Sequence, residues 1–558
     1  MGTPTILSPT ILIPRAVKAY KWTEGQIRSF QQLFPNAFLP STHWMPAKIP
    51  FNAGANQAIC RIYPRPDSEC NAWARHKWFY YDGTNTLPQV IPLGARGGAW
   101  PYVWVIMEAP TAANATIGSV YQGGLPSAQY NGYGDLVVTP TAAFTDELFW
   151  IRCYGQDGDF LDFTWTASTT SSTEYFVFGD SVNGLSTNAG TISAPIDGFD
   201  TAFTAGKFPN ATLVLRGGTY PISNTAGTAQ KFTSASTPMA LMAYPGDVPI
   251  INIANSADQW SFGFASPIED IFLQGVTLVG VANANDNAAY RHFWPGSPTY
   301  RFVAHNLSFP NVFPGQNAGN NSSCIYWSDP GLTNNYSQYI FLKGNAETNR
   351  PSVSGQNYGI FAAYGTSLGL AEFNSSTNCY AEQTMYLKAS NFEWTVRANA
   401  LYVAPTIGVV FATGNQTNAD GPSGNNEVCY NLFINNAAGT AGAFTTRSNW
   451  AAFNNADMSE WWYRNTVLGL MTTYPATDTG NGPYTFENNA VQYGTSYTSG
   501  LYYHTSTGNW VNTAPLPNGI TNTGTECQAA SGVLDPNTYE LTGTYRTQYL
   551  GQRGCEVY

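Results

Sequence analysis

From about Tyr175 onward, short apolar runs alternate with polar residues and turn residues, and no stretch holds a helical period. The segments IFLQGVTL, RFVAHNLSF, YIFLKGNAE, MYLKASNFE, CYNLFINNA, WYRNTVLGL and YTFENNAVQ share one form. Each has apolar core residues, then a polar position, then a small residue or Asn. They recur at unequal spacings of roughly 20–50 residues, the mark of a solenoid whose turns carry loops of different length. Each coil of such a stack buries its apolar face only against its neighbours. In register, the polar position holds Gln274, His305, Lys343, Lys388, Asn431, Arg464 and Glu487. Behind it come Gly275, Asn306, Gly344, Ala389, Asn465 and Asn488, which suit a tight turn and, where Asn stands, a side-chain ladder.

Upstream the pattern differs. Residues 1–95 are irregular and Pro-rich, with one helix expected over Arg15–Phe34, where Val17, Tyr20, Ile27, Phe30 and Phe34 fall near helical spacing. They read as an attachment region. Residues 96–172 contain WPYVWVIMEA, GDLVVTP, DELFWIRCYG and DFLDFTWTAS, short alternating runs cut by Gly, Pro, Asn and Asp. They predict a small, immunoglobulin-like β-sandwich. GQDGDFLD (155–162) looks faintly like a calcium loop but lacks the distal Glu, and reads better as a hairpin turn. The expected division is 1–95 attachment region, 96–172 sandwich, 173–518 β-helix and 519–558 a C-terminal cap.

LVLRGGTY (Leu213–Tyr220) followed by PMALMAYPGDVPIINI (Pro238–Ile253) resembles the opening coils of right-handed parallel β-helix proteins. That group includes pectate-lyase-like polysaccharide lyases and bacteriophage tailspikes, and the likeness spans about the last two thirds of the chain. The resemblance implies an all-β chain acting on or adhering to polysaccharide, and, for a tailspike, a homotrimer. A fold of this kind hosts lyases, hydrolases and inert adhesins alike.

Composition narrows the classes. Only 11% of residues are charged, against 43% hydrophobic and 15% aromatic, and the formal net charge is −11. Nucleic acid is a poor partner for such a surface. No run approaches the ~18 apolar residues of a membrane-spanning helix. The N-terminus shows no secretory pattern, so a virion protein with its host-facing surface on a tail or spike is expected first. It would bind host glycan, with other virion proteins held through the N-terminal region. A secreted lyase or glycoside hydrolase, or a non-enzymatic spike, are the alternatives. Eight cysteines without ligand spacing exclude a zinc framework.

Equivalent side chains of a parallel stack lie ~4.8 Å apart. If the marked row faces solvent, His305, Lys343, Lys388 and Arg464 form a basic strip. In a lyase, Lys or Arg neutralises a uronate or takes its C5 proton, often beside calcium; no other cofactor is expected. Plain polar-out alternation explains the same row. For hydrolysis, paired carboxylates are needed. Asp270, Glu382 and Glu393 head the candidates, with Asp329, Glu347, Glu372, Asp457 and Glu460 behind them. Trp461, Trp462, Tyr502 and Trp510, with His305, are the expected sugar contacts, since aromatic faces stack on sugar rings while their neighbours bond hydroxyls. In a regular strand Trp461 and Trp462 must alternate, so one of the two points outward.

Overall fold

A computed structural model of the chain describes residues 77–198 apart from four loops, then the strands named below with the tight turns that join them, as far as Val511. The expected helix at 15–34 and the cap at 519–558 lie outside the described residues. The chain divides into two compact units: residues up to Arg216 with 238–247 and 270–272, and the remainder.

In the first unit, alternating residues build two sheets. One runs Trp78–Tyr80, Phe160–Thr170, Glu147–Tyr154, Val103–Glu108, Tyr121–Gln122; the other runs Gln89–Pro92, Asp135–Pro140, Ala115–Ile117. Between them Phe149 stacks on Trp165 at 4.8 Å and on Phe79 at 5.6 Å. Tyr154 pairs with Phe160 across an antiparallel register, as a hairpin connection needs; residues 155–159, where the turn is expected, lie outside the described residues. Two features depart from the sequence reading. Trp78–Tyr80 and Gln89–Pro92 belong to these sheets, so β structure begins well before residue 96. Trp78–Tyr80 and Tyr121–Gln122 also join in parallel, unlike an all-antiparallel immunoglobulin layout.

The same unit holds three parallel strands, Phe176–Gly179, Thr212–Leu215 and Met239–Ala243. Phe176, Phe178, Val214 and Met242 are covered by Tyr80 and Leu87. The outer edge is blunted by the chain returning over it: Ile196 N–H donates to Phe178 O and Phe178 N–H to Gly190 O. An edge closed this way cannot template pairing with another chain. The RGG at 216–218 is coil turn, where Arg216 bonds Asp247 at 2.7 Å and lies over the Tyr244 ring.

The second unit is a parallel β-helix. One column of parallel strands contains Thr299–His305, Ser337–Lys343, Leu370–Glu372, Thr395–Arg397, Asn426–Cys429, Glu460–Tyr463 and Tyr484–Glu487. A turn of two residues leads to a second column: Ser308–Pro310, Ala346–Thr348, Ser375–Cys379, Ala400–Val403, Leu432–Asn435. A third contains Arg291–Pro295, Ser323–Trp327, Tyr358–Tyr364, Gln383–Ala389 and Val409–Gly414.

The turn after the first column repeats in backbone detail. Its leading residue has positive φ in six successive coils: Gly275, Asn306, Gly344, Phe373, Ala398 and Tyr430. For Phe, Ala and Tyr that conformation costs roughly 1–2 kcal/mol each. The next residue offsets it. Asn345, Asn374, Asn399, Asn431 and Asn465 form a fully buried ladder. Each Nδ2 donates to the next Oδ1 at 2.9 Å, and each backbone N–H to the same oxygen at 2.9–3.1 Å. The Nδ2 groups also donate to carbonyls of the preceding coil, from Ala304 to Val428. A ladder was expected at Asn306, Asn465 and Asn488: Asn465 is a rung, Asn306 stands one position before the ladder's row, and Asn488 lies outside the described residues.

The inside of the coils is identified by contact. Phe302 meets Trp327 edge-on at 5.1 Å and Phe293 at 6.2 Å across the stack. Ala304, Leu342, Ala371, Val396 and Val428 share its face. Lower down, Phe361 stacks on Trp394 at 5.4 Å, and Trp394 Nε1–H donates to Thr366 Oγ1. Only glycine fits at 369, where a Cβ would come within 2.4 Å of the Trp394 ring.

Candidate functional site

The row marked in the sequence alternates with that inside face, so it leaves the coils on the outside, as polar-out alternation requires. Its true members differ from the expected set. Strand register aligns His305, Lys343, Glu372, Arg397, Cys429, Tyr463 and Glu487, with Gln274 beside His305. Lys388 belongs to the third column, and Asn431 is a ladder rung. Arg464, one residue past Tyr463, lies outside the described residues.

The row is outside the coils yet shut off from water. His305 and Lys343 are 0% exposed, Glu372 1% and Arg397 2%. His305 and Lys343 therefore face no solvent, which corrects the expectation for these two members of the basic strip. The charges instead answer one another along the stack. Arg397 Nη2 donates to Glu372 Oε2 at 2.5 Å, and Lys343 Nζ stands 3.9 Å from Glu372 Oε1 and 5.9 Å from the Phe373 ring centre. His305 Nδ1 is 2.8 Å from Gln274 Nε2. As the amide can only donate, this contact places the ring proton on Nε2. Groups so enclosed hold coil to coil; none reaches a polymer in solution.

The remaining candidates fall as follows. Asp270 sits on Ile268–Gln274 and Lys388 on Gln383–Ala389, and their side chains lie outside the described set. Glu382, Glu393 and Tyr502 also lie outside the described residues. Trp461 and Trp462 occupy Glu460–Tyr463 in register with Glu427 and Val428, and Trp510 begins Trp510–Val511. The side chains of these three are likewise outside the described set. Among the described residues, no group of three or more His, Cys, Asp or Glu gathers to hold a metal ion. Cys153, Cys324, Cys379 and Cys429 are buried thiols.

Two clusters were not anticipated. The first replaces an apolar residue of the coil interior. Glu347 is in register with Phe309 and Ser376, while its neighbours Ala346 and Thr348 are half-buried. Its carboxylate is paired with Arg350, whose Nη2 also reaches Cys324 Sγ and Gly359 O, each at 3.4 Å. Cys324 donates to Glu347 Oε1 at 3.6 Å. Burial pushes the Glu347 carboxyl up, against the pull of Arg350. Burial and the neighbouring Glu347 push the Cys379 thiol up to about 12. These thiols stay protonated, so the cluster is not nucleophilic. Opposite it, Gly359 and Ile360 face the single residue Thr384, a β-bulge.

The second cluster is aromatic. Tyr326, Tyr358 and Tyr386 are buried, with Tyr326 5.7 Å from half-buried Tyr364 and Tyr358 5.4 Å from Tyr386. Tyr326 alternates with Trp327, which faces inward, so the tyrosines lie on the outside of their column. Tyr364 hydrogen-bonds Tyr326 through the phenols, and burial raises its hydroxyl far above the usual range. YGIFAAYGTS gave a signal for it, with Tyr at both ends of an alternating run.

No family model matches the chain, and no curated protein matches it. Among solved structures, a rhamnogalacturonan lyase is similar at 12% identity and TM-score 0.39, covering 68% of this chain and 99% of its own. A pectate lyase gives 14% and 0.32 over 63% and 79%. The catalytic domain of an alpha-1,3-glucanase in complex with nigerose gives 11% and 0.28 over 80% and 87%. All three scores are below 0.5, so function rests on this chain's own residues.

Proposed function

We propose that this chain is a virion tailspike or receptor-binding protein that grips host surface polysaccharide along its β-helix, as a homotrimer held to the particle through residues 1–95. The observation that carries this reading is the tyrosine group on the outside of the coils, of which half-buried Tyr364 is the most accessible member. Phenol rings offer an apolar face and a polar tip, the pairing that a sugar's C–H surface and hydroxyls match. A chain only 11% charged and net acidic suits uncharged or weakly charged glycan. Adhesion stands ahead of cleavage, because Lys343, one of the cations expected to serve a lyase, is enclosed.

The test is adsorption of labelled protein to encapsulated bacterial strains, before and after periodate treatment of the surface glycan. Adsorption should vanish with the glycan, and Tyr364→Ala should weaken it at least about 5-fold, as a contact worth more than about 1 kcal/mol requires. Adsorption that survives periodate, or a Tyr364→Ala chain that adsorbs like the parent, contradicts the reading.

A further inference from the structure

We propose that His292, seated between the Phe309 ring, Cys324 and the Glu347–Arg350 pair, makes coils 291–379 an acid-opened joint in the stack. The inference is independent of any glycan. His292 is 0% exposed, and its ring lies 5.5 Å from that of Phe309, which is in register with Glu347. By strand register Cys324 is its neighbour in the next coil. The strand on its other side, Trp260–Phe264, brings no titratable residue.

The charged and titratable groups around this site are Arg350, Glu347, Cys324 and Cys379, with Arg291 preceding His292 on its own strand. Glu347 is paired with Arg350, and burial keeps the Cys324 and Cys379 thiols and the imidazole uncharged at neutral pH. A proton on His292 puts a second cation beside Arg350 where water cannot reach either. Burial, helped by Arg350, holds His292 down at about 3.

The direction follows from linkage. An unfolded or opened coil lets His292 titrate near 6.5, while the closed coil resists until about 3. Stability contributed by the neutral ring is complete above 6.5 and drains away as pH falls toward 3. Glu347 works in the opposite sense, since its carboxyl is raised in the folded state and protonation eases its burial. Acid opening is therefore a property of His292 and not of the ion pair. Between pH 7.5 and 4.5 the opening equilibrium of this segment should rise about 100-fold.

The experiment is amide hydrogen exchange on the full chain at pH 7.5 and 4.5, compared as protection factors so that intrinsic exchange rates cancel. Peptides from 291–310, 323–327 and 337–379 should lose about 100-fold in protection, while those from 212–222 and 395–403 change little. His292→Phe keeps a ring without a titrating nitrogen and should abolish the loss; His292→Met serves the same purpose if Phe fails to fold. Equal acid sensitivity across the whole stack in the unmodified chain, or an undiminished loss in a folded variant, overturns the proposal.

Discussion

Replacing Glu347 by Leu while Arg350 remains should destabilise the second unit by about 3–5 kcal/mol, the range for a buried pair broken on one side. Leu suits the position by shape, because the same interior row holds Phe309 above and Leu401 two coils below. The cost arises from Arg350, left charged and buried beside Cys324 Sγ and Gly359 O, neither of which carries the missing negative charge. Replacing both, Glu347→Leu with Arg350→Met, removes the stranded charge, so stability should return to or exceed the parent value. Denaturant titration followed by far-ultraviolet circular dichroism reads both. A single variant as stable as the parent would show that Arg350 finds another anion. A double variant as weak as the single would show that packing, not charge, carries the effect. The pair is retained at a site where an apolar row would serve, as expected if it fixes which strands meet in which register.

Asn399→Ala should cost about 3–5 kcal/mol, more than an ordinary surface turn substitution, which usually stays within about 0.5 kcal/mol. Asn399 sits mid-ladder. Its Oδ1 accepts from both the backbone and the side chain of Asn374, and its Nδ2 donates to Ala371 O and Asn431 Oδ1. Truncation leaves the Asn374 N–H unmet and takes the side-chain donor from the Ala371 carbonyl, in a fully buried site. Each such buried group costs about 1–3 kcal/mol. The same residue also offsets the positive φ of Ala398 just before it. Asn399→Leu should fare no better, although Leu307 occupies the equivalent place above the ladder, because Leu307 only donates its N–H downward to Asn345. Asn399→Asp should be worst, as a carboxylate would face the Ala371 carbonyl. Thermal unfolding of the three variants gives the order; equal midpoints for all of them and the parent would refute the ladder's role.

The all-β, parallel-stacked character was legible because strands of this fold carry their period in the chain itself: IFLQGVTL, RFVAHNLSF and YIFLKGNAE align with true register. Alignment failed at the next coils for a physical reason. Leu370–Glu372 and Thr395–Arg397 are only three residues long, too short to show alternation, so MYLKASNFE of another column was drawn in and Lys388 replaced Glu372. A better marker was present. Asn immediately precedes strands beginning at Ala346, Ser375, Ala400, Leu432 and Thr466, and also at Ala490 and Trp510. A polar residue repeated at the entrance to every short strand signals a buried ladder more firmly than the apolar runs do. The candidate site was less legible. That the outward row would be polar follows from alternation, but its burial is not a property of the local pattern, which reads the same for an exposed row and an enclosed one. The Glu347–Arg350 pair is three residues apart and would pass for an exposed turn pair. Tyr364 was missed because its partners Tyr326 and Tyr386 come from neighbouring coils.

The central claim is that the outside of these coils holds polysaccharide, and direct binding of purified, labelled surface polymers tests it best. Capsular, O-antigen and uronate polymers would be titrated with the full chain and with Tyr364→Ala, and free and bound polymer separated by size. The account predicts saturable retention of at least one host polymer, weakened at least about 5-fold by the substitution. Retention of no polymer from a strain to which the protein adsorbs would contradict it.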